Sequence, residues 1–170
     1  MIRKFESKPV VHAVFWIALY IAIVNIGDSL GGIPNLATSL LLTVFSMVLF
    51  FYSKTRIPVG FDSFSKSNAK RTLYYLPLAA LVGLGFLGGI DSSLSRSDIL
   101  IAVLLMTNVG FVEELLFRGY LLEAIEKGKG RKRAVIISGI TFGIGHIVNI
   151  LRGYDASELA VQIAGAVVIG

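Results

Sequence analysis

The apolar residues of this 170-residue chain come in blocks of membrane-spanning length, and few folds accept that pattern. Five blocks stand out, at 10–26, 36–52, 73–90, 99–117 and 134–151. A sixth begins near Leu159 and is still running at Gly170. A helix needs about 20 mostly apolar residues, in a range of about 17–25, to cross the hydrocarbon core. Lipid offers the backbone no hydrogen-bond partner, so each crossing must be a helix or a strand of a closed barrel. The chain lacks the period-two alternation of a barrel. It is therefore expected to be an all-α polytopic transmembrane bundle of five spans plus a truncated sixth. Composition agrees: 16% of the residues are charged, against about 25% in a soluble domain.

The first block follows Arg3, Lys4 and Lys8, as a signal peptide would. Its apolar run is longer than the about 7–15 residues of a signal core, and Asn25-Ile26-Gly27-Asp28 is a poor cleavage site. It reads as a retained span. The loop after the second block holds Lys54, Arg56, Lys66, Lys70 and Arg71. The segment after the fourth holds Lys127, Lys129, Arg131, Lys132 and Arg133. The alternate loops contribute Arg96 and Arg152 alone. The positive-inside rule then places the N-terminus in the cytoplasm. These topology signals account for the net charge of +5, so membrane lipids are the expected partners and nucleic acid is not. The polar stretch 53–72 reads as a cytoplasmic loop, either lying partly on the lipid headgroups or simply connecting two spans. There is no cysteine, which excludes a thiolate nucleophile, a disulfide framework and a Cys-ligated zinc site.

The fourth block ends in Glu113-Glu114-Leu115-Leu116-Phe117-Arg118-Gly119. On a solvated helix the Glu114 to Arg118 spacing of i,i+4 would mean little. In a membrane span an ionisable group costs on the order of 2.5–3.5 kcal/mol, so two adjacent carboxylates need a reason. Neighbouring helical residues point about 100° apart. Glu114 is placed to pair with Arg118, which leaves Glu113 to face a polar cavity as a general base for water. The bland alternative is an ion-pair anchor at the cytoplasmic interface, with Arg118 snorkelling.

The fifth block carries Phe142-Gly143-Ile144-Gly145-His146-Ile147-Val148-Asn149. Phe142 and His146 share a helical face, and Asn149 shares most of it. Gly139, Gly143 and Gly145 allow another helix to approach closely. An imidazole there can bind a metal, shuttle a proton or donate to an oxyanion. The alternative is a plain interhelical hydrogen bond. His12, at the start of the first block, reads as interfacial. Counted along their spans, Glu113 and His146 are offset in depth by roughly 10 Å at about 1.5 Å per residue. A longer fourth helix, a tilt or a deeper start of the fifth would close that gap.

Glu-Glu-x-x-x-Arg followed on the next span by Phe-x-x-x-His resembles the CAAX-processing and bacteriocin-processing membrane protease family (CPBP or Abi). The resemblance covers about 97–170. It implies a conical helical bundle in a bacterial cell membrane, with a site open toward the cytoplasm. By motif position Glu113, Glu114 and His146 would be catalytic, with Arg118, Phe142 and Asn149 supporting them. It divides the chain into N-terminal helices and loop at 1–96 and a protease core at 97–170. No cofactor is required by the residues; a divalent metal such as zinc, held by Glu113 and His146, and a glutamate mechanism both stay open. Substrates implied are a peptide leader or a membrane-associated or prenylated protein. The family's later His with Asn or Asp four residues on has no counterpart here, and the abrupt end at Gly170 leads one to expect a piece of a longer protein over a short member with an incomplete site. The competing functions are a non-catalytic scaffold or bacteriocin self-immunity protein of the same fold, and, ranked last because no inverted repeat is found, a transporter.

Overall fold

A computed structural model describes residues 8–30, 33, 35–56, 89 and 93–169. Among them there are helices and no strand. Helix α1 runs Pro9–Ser29, with proline in its first turn, where a missing N–H leaves no bond unmade. Helix α2 runs Leu36–Arg56. Helix α3 runs Arg96–Glu113 and starts at a capping box: the Ser95 hydroxyl accepts from the Asp98 N–H, and the Asp98 carboxylate accepts from the Ser95 N–H. The helix does not end at Glu113. It continues as a π-helical segment, Glu114–Leu121, and then as α4, Leu122–Lys129. Gly130, at φ 79°, breaks it. Helix α5 follows at Arg131–Gly145, then a 3-10 segment, His146–Arg152, and α6, Ala156–Ile169.

Four stretches are long and apolar enough to cross a membrane: Pro9–Ser29, Leu36–Thr55, Arg96–Lys129 and Arg131–Ile150. The apolar Ala156–Val168 is shorter. The expectation of a transmembrane helical bundle holds, and the first two spans extend a few residues past their apolar blocks. The block at 73–90 and most of the loop at 53–72 lie outside the described residues. The largest difference from the hydropathy pattern is the 34-residue Arg96–Lys129 stretch. Apolar density falls after Phe117, yet Leu121, Leu122 and Ile125 are all buried against the bundle, and that buried face carries the helix onward.

Helix α1 packs on α2 and on the π segment, α2 on α3, α4 on α5, and α5 on α6. The centre is built from Ala13, Ile17, Leu42, Phe45, Leu49, Val112 and Leu116. Two polar ties fix the register of α2 against α3: Ser39 Oγ donates to the Ile101 carbonyl at 3.3 Å, and Asn108 Nδ2 to Thr43 Oγ1 at 3.0 Å. Because both chains climb together through these pairs, α2 and α3 run parallel. Outward faces are apolar, with Val14, Phe15, Val44, Phe51, Val103, Ile136 and Val161 exposed, as lipid contact requires. Two glycines set close approaches. A Cβ on Gly27 would lie 2.6 Å from the Thr38 Cα, and one on Gly143 would lie 3.0 Å from the Ile163 carbonyl oxygen. Gly143 thus lets α5 and α6 meet; Gly145 sits in ordinary contact distance of Phe117.

Candidate active site

A cavity of about 480 Å³ opens between α1, α3, the 3-10 segment and α6. Glu113 reaches it from the last turn of α3, and His146 from the first residue of the 3-10 segment. The depth offset counted along the sequence is absorbed by the structure. The continuous Arg96–Lys129 stretch starts earlier and runs longer than the apolar block, so Glu113 lies in its middle, within hydrogen-bond reach of Tyr20 of α1. Phe142 and Asn149 also line the cavity. Glu114 and Arg118 do not.

The two carboxylates face different surroundings. Glu114 is exposed and forms an ion pair with Arg118 one turn on. Glu113 is partly buried and accepts a hydrogen bond from Tyr20 Oη at 2.9 Å on Oε1. Its other oxygen keeps lone pairs for a second partner. His146 and Arg118 lie within electrostatic reach of this carboxylate. Tyr20 carries no motif, and a tyrosine in an apolar span suggests only that its hydroxyl needs a partner. Its role is visible only when α1 is set against α3.

His146 is oriented by its own helix. Its Nδ1 stands 3.0 Å from the Phe142 carbonyl, which can only accept, so Nδ1 carries the proton. Nε2 is then the working nitrogen: a lone pair in the neutral ring, a donor in the imidazolium. The Phe142 ring stacks edge-on against His146 at 5.0 Å and against Phe117 at 5.0 Å. The Arg118 guanidinium lies 5.9 Å over the Phe142 ring, so the arginine reaches the site through that aromatic. Asn149 Nδ2 donates to Gln162 Oε1 at 2.9 Å and ties the 3-10 segment to α6.

The π segment carries this arrangement. Its wider turn gives the Phe117 carbonyl two donors, the Leu122 N–H and, at 2.9 Å, the fully buried Ser138 Oγ of α5. π turns recur at functional sites, since they turn a side chain away from its α-helical direction. Replacing Ser138 by alanine is expected to lower stability by about 0.5–1.5 kcal/mol through loss of that one bond. Denaturation in detergent would measure it, and an unchanged midpoint would remove Ser138 from the account.

Metal binding can be judged from the donors. Glu113 Oε2 and His146 Nε2 are two, whereas a catalytic zinc takes about three protein ligands. Among the described residues no three His, Cys, Asp or Glu side chains come together. These residues do not complete a zinc site.

His12, near the start of α1, is held by neighbouring aromatics. It is buried, and its Nε2 accepts from Trp16 Nε1 at 2.9 Å and stands 2.9 Å from Tyr52 Oη. Its ring packs at 5.5 Å from that of Tyr120, whose hydroxyl meets Ser53 Oγ at 2.6 Å.

With this geometry in place, comparison with known families is informative. Residues 95–170 match the profile of the family described as type II CAAX prenyl endopeptidase Rce1-like. Over this segment the chain is similar to the Rce1-like family. The matched stretch holds Glu113, Glu114, Arg118, Phe142 and His146, the residues that carried the sequence resemblance. The matched stretch spans α3 through α6, while Tyr20 reaches Glu113 from α1, outside the match. No curated protein and no solved structure matches the chain.

Proposed function

We propose that the chain is an intramembrane endopeptidase of the Rce1-like type, hydrolysing a peptide bond of a membrane-associated peptide or lipidated protein. The observation that carries this reading is the pairing of Glu113 with a Tyr20 donor and of His146 with a fixed tautomer around one cavity. The match of residues 95–170 to the Rce1-like profile supports it.

The residues suit a balanced sequence of steps. The Glu113 carboxylate takes a proton from water as the water oxygen bonds to the scissile carbonyl carbon. The carbonyl electron pair moves to oxygen, where the Nε2–H of a protonated His146 donates to the oxyanion. The carbon–nitrogen bond then breaks, and the proton held on Glu113 passes to the leaving nitrogen. Tyr20 holds one carboxylate oxygen, so that the other faces the water. Glu114 binds Arg118 and steadies the π turn. No step passes through a metal.

The test is hydrolysis in ¹⁸O-labelled water by the full chain in proteoliposomes. The probes are a farnesylated peptide ending in a CAAX sequence and its unprenylated counterpart. The expected product has one labelled oxygen in its new carboxylate. His146→Ala is expected to slow its formation by about 10²–10³-fold, the usual effect of losing an oxyanion donor. No hydrolysis of either probe above empty vesicles, or equal rates for wild type and His146→Ala, would reject the reading in favour of a non-catalytic scaffold.

A further inference from the structure

From Leu159 to Ile169 helix α6 has a single polar side chain, Gln162. A polar group among membrane-length apolar helices turns toward protein or a cavity and away from lipid. Gln162 is half-buried and lines the cavity that holds Glu113 and His146. Two contacts place it there. A Cβ on Gly143 of α5 would stand 3.0 Å from the Ile163 carbonyl oxygen, so the backbones of α5 and α6 touch one residue beyond Gln162. Asn149 Nδ2 donates to Gln162 Oε1 at 2.9 Å and so takes the carbonyl end of the amide. The other end carries two N–H donors. Among the described residues nothing accepts from Gln162 Nε2.

The 3-10 segment sets how far this donor lies from the reacting centre. With three residues per turn, side chains at i and i+3 eclipse, so His146 and Asn149 point the same way. Along the axis they stand about 6 Å apart, at about 2.0 Å per residue. An extended peptide advances about 3.3 Å per residue, and its carbonyls two residues apart point to the same side. A strand whose scissile carbonyl faces His146 thus turns a second carbonyl toward Gln162, about two residues away.

We infer that Gln162 is a substrate-binding residue, whose amide donates to a main-chain carbonyl of the peptide about two residues from the scissile bond. The ligand it takes is a peptide held as an extended strand and read by its backbone. Every extended chain carries that carbonyl, so the subsite fixes the register of the strand without selecting a side chain. Placing the scissile bond rests on the peptidase reading; the amide subsite requires only that a peptide binds.

The test is a binding cycle on the full chain in nanodiscs, with Glu113→Gln present throughout to suppress turnover. The probe is the farnesylated CAAX peptide of the hydrolysis assay, carrying a fluorophore at its N-terminus. Its peptide bonds are replaced one at a time by a trans-alkene, which keeps the shape and removes the carbonyl. The near-isosteric Gln162→Met is expected to weaken the parent peptide roughly three- to tenfold, the effect of one neutral hydrogen bond. One alkene probe, altered about two residues from the cleaved bond, is expected to lose affinity by a similar factor and to bind both forms equally. Where Gln162→Met does not fold, Gln162→Glu serves, because its carboxylate still accepts from Asn149 and has no N–H. The inference is overturned if the parent peptide binds both forms equally or binds neither. It is also overturned if the variant weakens every alkene probe alike, as a plain clamp between α6 and the 3-10 segment would. If the chain is not a peptidase, the hydrolysis assay stays silent while the coupling to one backbone position still appears.

Discussion

Glu113→Gln is expected to lower peptide hydrolysis by about 10²–10⁴-fold, the range a positioned general base contributes, with no loss of stability. The glutamine keeps the shape of the side chain. Its amide oxygen still accepts the Tyr20 hydroxyl that stands 2.9 Å from Oε1 in the wild type. What it loses is the capacity to take a proton from water. The measurement is the initial rate of labelled product at saturating probe, beside a thermal unfolding curve. A rate within twofold of wild type would sink the catalytic role of Glu113. Glu114→Gln is the informative contrast: its side chain is exposed and outside the cavity, so it acts only by loosening Arg118. A loss at Glu114 as large as at Glu113 would mean that the roles of the pair are wrongly divided.

The second large effect is structural. Gly27→Val is expected to destabilise the fold by about 1–3 kcal/mol or more, the cost of forcing extra atoms into a packed contact. A Cβ at this position meets the Thr38 Cα at 2.6 Å, and a backbone atom cannot swing aside as a side chain can. Helices α1 and α2 must separate, and the Thr38 Oγ1 to Asp28 bond at 2.7 Å goes with them. Gly27→Ala should show the same sign at a smaller size. Unfolding midpoints in detergent for the pair decide the matter; a Gly27→Val protein as stable as wild type would mean that the α1–α2 contact is not as close as described.

Much of this molecule could be read from sequence because lipid imposes simple rules. Apolar length located α1, α2, α3 and α5, and the approximate 100° step between neighbours anticipated that Glu113 and Glu114 would point to different places. What escaped the reading depends on contacts between elements. Nothing in Glu114–Leu121 announces a π turn, and the Ser138 hydroxyl that also donates to its Phe117 carbonyl comes from another helix. Tyr20 and His12 sit in α1 with no local pattern around them. One finds Glu113 and the other finds Trp16 and Tyr52 only after the helices assemble. The length of the Arg96–Lys129 stretch was hidden for a related reason, because hydropathy registers lipid and ignores burial against protein.

The hydroxyl that Tyr20 places on Glu113 has a consequence for dissecting the chain. Tyr20 lies in α1, outside residues 95–170, so a piece cut to the matched stretch keeps Glu113 and His146 but loses the donor that holds the carboxylate.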